Sequence, residues 1–229
     1  MPLPLRRALA HLSDRTHSDD YGGLAARLYS AYIERPPLGR AVIRIIWGGD
    51  ARPMYASLER LRRLSAGLTV VDAACGAGLA LHYLEPTRVG RYVGIDSSPT
   101  MLKRAGERGR RRGFRHLELR IGDVTAMPLE DATADVYLLY NALHVVSDPE
   151  QAVAEAMRCL KPGGRLEGTM LLRGERRRVD RLFEREQSKP SGLLGLGGTL
   201  ADLRRWLEAF SDVQVERGGA LVTFRARRA

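Results

Sequence analysis

From Gly67 onward the sequence alternates between short apolar segments and stretches with helical spacing, and this alternation constrains the fold more than any other feature. The apolar segments are LTVVDAA (68–74), RYVGIDSS (91–98), HLELRIGD (116–123), ADVYLLY (134–140) and RLEGTMLLR (165–173). They recur about every 20–30 residues, with helix-forming sequence between most of them. Strands connected in this way need crossovers, so they form a parallel sheet with helices on both faces. The last stretch, DVQVERGGALVTFRARR (212–228), reads as two strands turned by Gly218-Gly219, a hairpin signal. The expected fold is α/β: a Rossmann-like, seven-stranded, mostly parallel sheet ending in an antiparallel hairpin.

Helix starts are marked by capping residues. Ser98 precedes Pro99, Asp148 precedes Pro149 with Gln151 at the capping-box position, and Thr199 precedes LADLRRW. KPGG (161–164) is expected to end the helix that carries Val153, Met157 and Leu160 on one face. Residues 1–66 have helical spacing instead, at Leu24, Leu28 and Tyr32 and again at Leu58, Leu61 and Leu64. RPPLG (35–39) and WGGDARP (47–53) are expected to break this region into short helices. The predicted organisation is a helical lid over 1–66 and a ligand-binding domain over 67–229. Within the latter, residues 175–200 contain SGLLGLGG and read as a closing flap.

Composition narrows the function classes. The 229 residues suffice for one domain with a substantial core, and 44 % hydrophobic with 28 % charged residues is ordinary for a globular protein. No apolar run approaches the roughly 18–20 residues of a membrane span, and the amino terminus lacks a secretory pattern, so the expected location is cytoplasmic. Cys75 and Cys159 fit neither a metal-ligand spacing nor a disulfide framework and read as small buried side chains. The net charge of +10 comes almost entirely from arginine, in runs broken by acids and glycines. It reads as a solvated face, so nucleic acid is not the expected partner.

In an open α/β sheet, ligands bind beyond the carboxyl ends of the strands. Those ends carry Asp72 to Gly78, Asp96 and Ser97, Asp123, and Asn141 to His144. The glycine loop VVDAACGAG lacks both a third dinucleotide-type glycine, since Leu81 stands there, and a Gly-Lys-Ser/Thr phosphate signature. Asp72, expected at the rim of the loop, would repel a pyrophosphate by a few kcal/mol and favour a cation. Asp96, twenty residues past Gly76, suits two ribose hydroxyls. Asp123 suits an exocyclic amine, and the Val124 N–H suits a ring nitrogen. Together they describe a phosphate-free nucleoside with a positive centre.

These motifs, with YVGIDSSPTML, GDVTAMPL and ADVYLLYNALHVVSDPEQAVAEAMRCLKPGGRL, resemble the class I S-adenosylmethionine-dependent methyltransferases over residues 67–172. The small-molecule branch with the ubiquinone/menaquinone C-methyltransferases is the most similar. The resemblance implies S-adenosyl-L-methionine as cofactor, held by Asp72, Ala73, Ala74, Cys75, Gly76 and Gly78, by Asp96, Ser97 and Met101, and by Asp123 and Val124. Asn141 would face its methionyl part. Ala74 stands where the family has glycine, and it is expected to keep negative φ or shift the loop.

Methyl transfer from a sulfonium is an in-line displacement that needs alignment more than acid–base chemistry. His144 is the candidate base for an acceptor that must lose a proton, or else a structural histidine bonded to a neighbouring loop. Tyr21, Tyr32 and Trp47 are candidate substrate-wall residues. The apolar lining implies a small, partly hydrophobic acceptor, with RNA or protein methylation, or a cofactor-binding cyclase, as alternatives. The sequence carries no signal for oligomeric state.

Overall fold

The structure is a computed structural model that describes residues 33–47, 49–175, 180, 181, 184 and 197–229, without the side chains of Ile46 and Trp47. Seven strands form one sheet: β1 (Leu68–Ala73), β2 (Val89–Asp96), β3 (Leu117–Ile121), β4 (Ala134–Tyr140), β5 (Leu160–Leu171), β6 (Ser211–Gly218) and β7 (Leu221–Arg227). Their order is β3-β2-β1-β4-β5-β7-β6. The pairs β1–β2, β1–β4, β2–β3 and β4–β5 are parallel, while β7 runs antiparallel to both β5 and β6.

The helices are α1 (Pro36–Val42), α2 (Arg52–Arg60), α3 (Leu79–Tyr83), α4 (Pro99–Arg112), α5 (Pro149–Cys159) and α6 (Leu200–Trp206). A π-helical turn over Ile43–Trp47 continues α1. The expected caps form. Ser98 accepts from the Met101 N–H, Asp148 accepts from the Gln151 N–H, and Thr199 makes a reciprocal capping box with Asp202.

Crossovers of one hand divide the helices between the two faces. Ala80, Leu81 and Tyr83 of α3 and Ala105 of α4 pack with Met54, Tyr55 and Leu58 of α2 over Val70, Tyr92, Val136 and Leu138. On the other face, Ala152, Val153 and Ala156 of α5 and Leu203 of α6 pack over Val71, Val93, Tyr137 and Leu139. Central β1 is therefore buried over its last four residues, Val70 to Ala73, as a strand covered on both faces should be, with Asp72 the one charged side chain among them. The outer strand β6 is exposed along most of its length and is largely polar.

RPPLG separates helical segments as expected: Ile33 is helical, Glu34 and Arg35 turn, and Pro36 opens α1, where its missing N–H costs nothing. One local expectation is corrected. KPGG does not follow α5 as a loop. The helix stops at Cys159, and KPGG is an irregularity inside β5, where the register moves from Ala134↔Leu160 to Val136↔Arg165.

The segment before α2 is fastened to the carboxy-terminal hairpin. The Asp50 N–H donates to the Gly218 carbonyl over 2.8 Å. The backbones lie so close that a Cβ at Gly218 would fall 2.0 Å from the Asp50 carbonyl oxygen.

Candidate functional site

Strand order reverses between β1 and β4: the chain leaves β1 toward β2 and leaves β4 toward β5. Loops at such a switch point diverge and open a crevice beyond the carboxyl ends of the strands. Two loops border it here, residues 74–78 after β1 and residues 141–144 after β4.

The first loop turns through three left-handed residues, Ala74 (φ 55°), Gly76 (φ 53°) and Gly78 (φ 80°). The two glycines serve different ends. A Cβ on Gly76 would meet nothing within 4 Å, so its backbone faces open space, whereas one on Gly78 would strike Leu81 at 2.7 Å and touch Ala105 of α4 at 3.4 Å. Gly76 leaves room for a close approach and Gly78 lets the helices pack. Ala74 departs from expectation: it takes positive φ rather than keeping negative φ, a conformation that costs an L-residue about 1–2 kcal/mol.

Asp96, at the end of β2, holds this loop. Its Oδ2 accepts from the Gly76 N–H over 2.8 Å, and its Oδ1 accepts from the Ser98 N–H over 2.9 Å. Burial raises its pKa above the ordinary value, and the two N–H donors oppose that rise. Ser97 is exposed, while Met101, in the first turn of α4, is buried.

Asp72 does not stand at the rim. It is 4 % exposed and accepts a 2.6 Å bond from the Tyr92 hydroxyl of the neighbouring strand. Desolvation drives its pKa up to about 7, with the Tyr92 bond pulling down and the Asp96 charge pushing up. The carboxylate thus lies beneath the crevice, inside the sheet's α2-side layer.

Asp123 is exposed and braces its own turn, its Oδ1 accepting from the Thr125 N–H and hydroxyl at 2.8 Å each. Val124 is buried. The loop that follows is clamped to α5. Glu155 accepts from the Met127 N–H over 2.7 Å, and Arg158 donates to the Leu129 carbonyl, Asp131 and Glu155. A concavity of about 560 Å³ bordered by Arg91, Arg120, Met127 and Thr133 includes none of the strand-end residues.

Asn141 ends β4 in the left-handed region, at φ 56°. Thr169 of β5 holds it there: the Asn141 N–H donates to the Thr169 carbonyl and hydroxyl, 3.0 Å each, and the Thr169 hydroxyl donates to Asn141 Oδ1 over 2.8 Å. Three residues on, His144 is buried, and its Nδ1 accepts the Leu171 N–H over 3.3 Å. Burial lowers its pKa from 6.5 to about 4. A neutral imidazole has one acceptor nitrogen, and the backbone occupies it. In this geometry His144 braces β5 against the loop.

The methyltransferase-domain family model matches residues 71–167. Residues 71–167 are a class I S-adenosylmethionine-dependent methyltransferase domain. An uncharacterized protein in transposon TN4556 of Streptomyces fradiae is 41 % identical over 121 residues, 51 % of this chain and 34 % of its own length. The ubiquinone/menaquinone biosynthesis C-methyltransferase of Roseobacter denitrificans is 33 % identical over 103 residues, 44 % of this chain and 41 % of its own. The chain thus matches less than half the length of either relative. In fold it is similar to a geranyl diphosphate methyltransferase solved with GPP and sinefungin, at a TM-score of 0.64 and 17 % identity over 79 % of this chain and 78 % of that one.

The methyltransferase domain brings the glycine loop and Asp96 into direct contact and sets Asn141 and His144 at the facing loop. Tyr21 and Tyr32 lie outside the described residues, as do the side chain of Trp47 and most of the flap 175–200. Nothing in the sequence singles out Tyr92 or Thr169. Each sits mid-strand, and only pairing with a distant strand gives it a polar partner. The same holds for the buried cluster in which Ser57 of α2 meets Tyr140 at 2.5 Å and Glu167 at 3.0 Å.

Part of the basic charge is paired within the chain. Arg91 and Arg120 hold Glu118, Arg108 holds Glu34, Arg217 holds Glu175, and Lys161 holds Asp135. Cys75 and Cys159 are free and buried. Among the described residues no helix is long and apolar enough to cross a membrane, and no cluster of His, Cys, Asp or Glu is placed to hold a metal.

Proposed function

We propose that the chain transfers the methyl group of S-adenosyl-L-methionine to a small, partly hydrophobic molecule, by O- or C-methylation. One observation carries this reading most: Asp96 grips the glycine loop through Gly76 at a point where the loop's outer face is open. A carboxylate offers about four acceptor sites. Two are taken by backbone N–H groups, and the remainder suit the vicinal hydroxyls of a ribose. The donor set therefore fits a nucleoside without phosphates.

In this reading Cys75, Gly76 and Gly78 hold the methionyl end, Met101 packs under the nucleoside, and Asp123 and Val124 take the edge of the adenine. Asn141 faces the methionyl part from across the crevice. When bound, the cofactor supplies a methyl group already activated by positive sulfur. The chain's contribution is alignment of the acceptor and exclusion of water, which are worth several kcal/mol of barrier. The buried Asp72 lends negative potential from below when ionised. Tyr21, Tyr32 and Trp47 wall the acceptor side, with 1–66 as lid and 175–200 as flap. The apolar SGLLGLGG stretch and the quinone methyltransferase among the relatives favour a quinone-like or secondary-metabolite acceptor in the cytoplasm.

The test is incubation of the protein with methyl-labelled S-adenosylmethionine and a fractionated metabolite extract, alongside calorimetric titration of the cofactor. The expected result is a labelled organic-soluble product and cofactor binding that Asp96→Ala weakens by about 10–100-fold, as loss of bonds to a charged group should. Label found only in RNA or protein would overturn the acceptor class. Binding with no transfer in any extract would point to a cyclase or regulator.

A further inference from the structure

We infer that Thr169 is a positioning residue that decides which end of the Asn141 carboxamide faces α2 and the cofactor's methionyl part. The inference rests on the cofactor reading above and adds to it a residue from a different strand. Thr169 is fully buried in β5, directly opposite Tyr140 in the β4–β5 register. Its hydroxyl oxygen already accepts the Asn141 N–H over 3.0 Å, so its hydrogen needs an acceptor, and Asn141 Oδ1 supplies one at 2.8 Å. A buried hydroxyl left without an acceptor is penalised, so this pairing is selected over the flipped amide. The carbonyl end of Asn141 is thereby turned to β5, and the amino end is turned toward α2, where Nδ2 lies 3.9 Å from the Met54 sulfur.

The arrangement has the character of a device rather than of incidental packing. Asn141 is held in left-handed φ, which asparagine takes more readily than most residues, and three hydrogen bonds to one threonine fix it there. In this reading the amino end, on the α2 side, is the end offered to a carboxylate or carbonyl oxygen of the cofactor. Thr169 touches neither cofactor nor acceptor in this account; it acts through Asn141.

Thr169→Val keeps shape and volume, and it also keeps the bond from the Asn141 N–H to the residue-169 carbonyl, so the strand ladder remains. It removes only the hydroxyl. S-adenosylmethionine is titrated calorimetrically into the full chain, Thr169→Val, Thr169→Ser, Asn141→Ala and the double variant Asn141→Ala/Thr169→Val. The expected result is cofactor binding weakened about threefold to tenfold by valine, the range of one lost neutral hydrogen bond, and restored within twofold by serine. Valine should add nothing once Asn141 is alanine. A second readout needs no ligand. The side-chain amide resonances of Asn141, assigned by their loss in Asn141→Ala, should move in the valine variant and stay in the serine variant.

Wild-type protein that binds no S-adenosylmethionine would sink the cofactor reading and this inference with it. Wild-type binding with an unaffected Thr169→Val, or an equal valine effect in the Asn141→Ala background, would overturn the Thr169 role alone.

Discussion

Replacing Asp72 by asparagine tests the electrostatic layout under the crevice. Asp72 is a carboxyl closed off from water with one hydroxyl for company, and its pKa stands at about 7 instead of 3.8. At pH values between these two, the folded protein keeps a proton that the unfolded chain gives up. Stability then falls as pH rises through this window and levels off above it, because the unfolded state binds fewer protons. A rise of that size corresponds to about 4 kcal/mol lost between pH 4 and pH 8. The asparagine of Asp72→Asn has the same shape, can accept from Tyr92, and does not ionise. Urea unfolding of both proteins at pH 4.5, 6, 7 and 8 isolates Asp72, since every other titration cancels in the difference. The variant should be close to wild type at pH 4.5 and more stable by several kcal/mol at pH 8. Parallel curves across this range would refute the reasoning: Asp72 would then be ionised in the folded state at little cost.

Three further outcomes are expected. Ala74→Gly should relieve the left-handed strain, and, after the greater freedom of glycine in the unfolded chain is offset, raise stability by about 0.5–1 kcal/mol in a thermal melt; a lower melting temperature would contradict the φ of 55°. His144→Ala should cost about 2–4 kcal/mol, since it leaves a cavity and an unsatisfied Leu171 N–H, while cofactor titration at low temperature changes little. Because burial lowers the His144 pKa from 6.5 to about 4, wild type should also lose about 3 kcal/mol as pH falls through that window, and His144→Gln should not; an acidic limb of the pH–rate profile that vanishes in His144→Gln would restore His144 as a base.

What the sequence discloses follows from the range of the interaction involved. Strands β1, β2 and β4 are legible because an apolar run between crossovers has no other place to go than a buried sheet, and β7 because Gly218-Gly219 turns it back on β6. Ser98, Asp148 and Thr199 are legible because a cap bonds to residues two or three positions away. Asp96 is legible because its spacing from Gly76 is fixed by one βαβ unit. The buried position of Asp72 is hidden in the sequence because the inward turn of its side chain depends on the Tyr92 hydroxyl across the strand pair. The sequence leaves His144 open between base and structural brace because nothing local reveals the Leu171 N–H, 27 residues on, that bonds its Nδ1. KPGG has the composition of a helix stop, yet pairing of β4 with β5 absorbs it as a strand irregularity.

The backbone bond between Asp50 and Gly218 joins segments that leave the ribosome far apart in time. Leu221 of β7 shares one apolar cluster with Met54 and Leu58 of α2. During synthesis that helix has no finished seat until the β6–β7 hairpin emerges, so its docking is a late, long-range event with the slow kinetics such contacts impose. Loss of β6 and β7 would unseat α2 as well as one edge of the sheet.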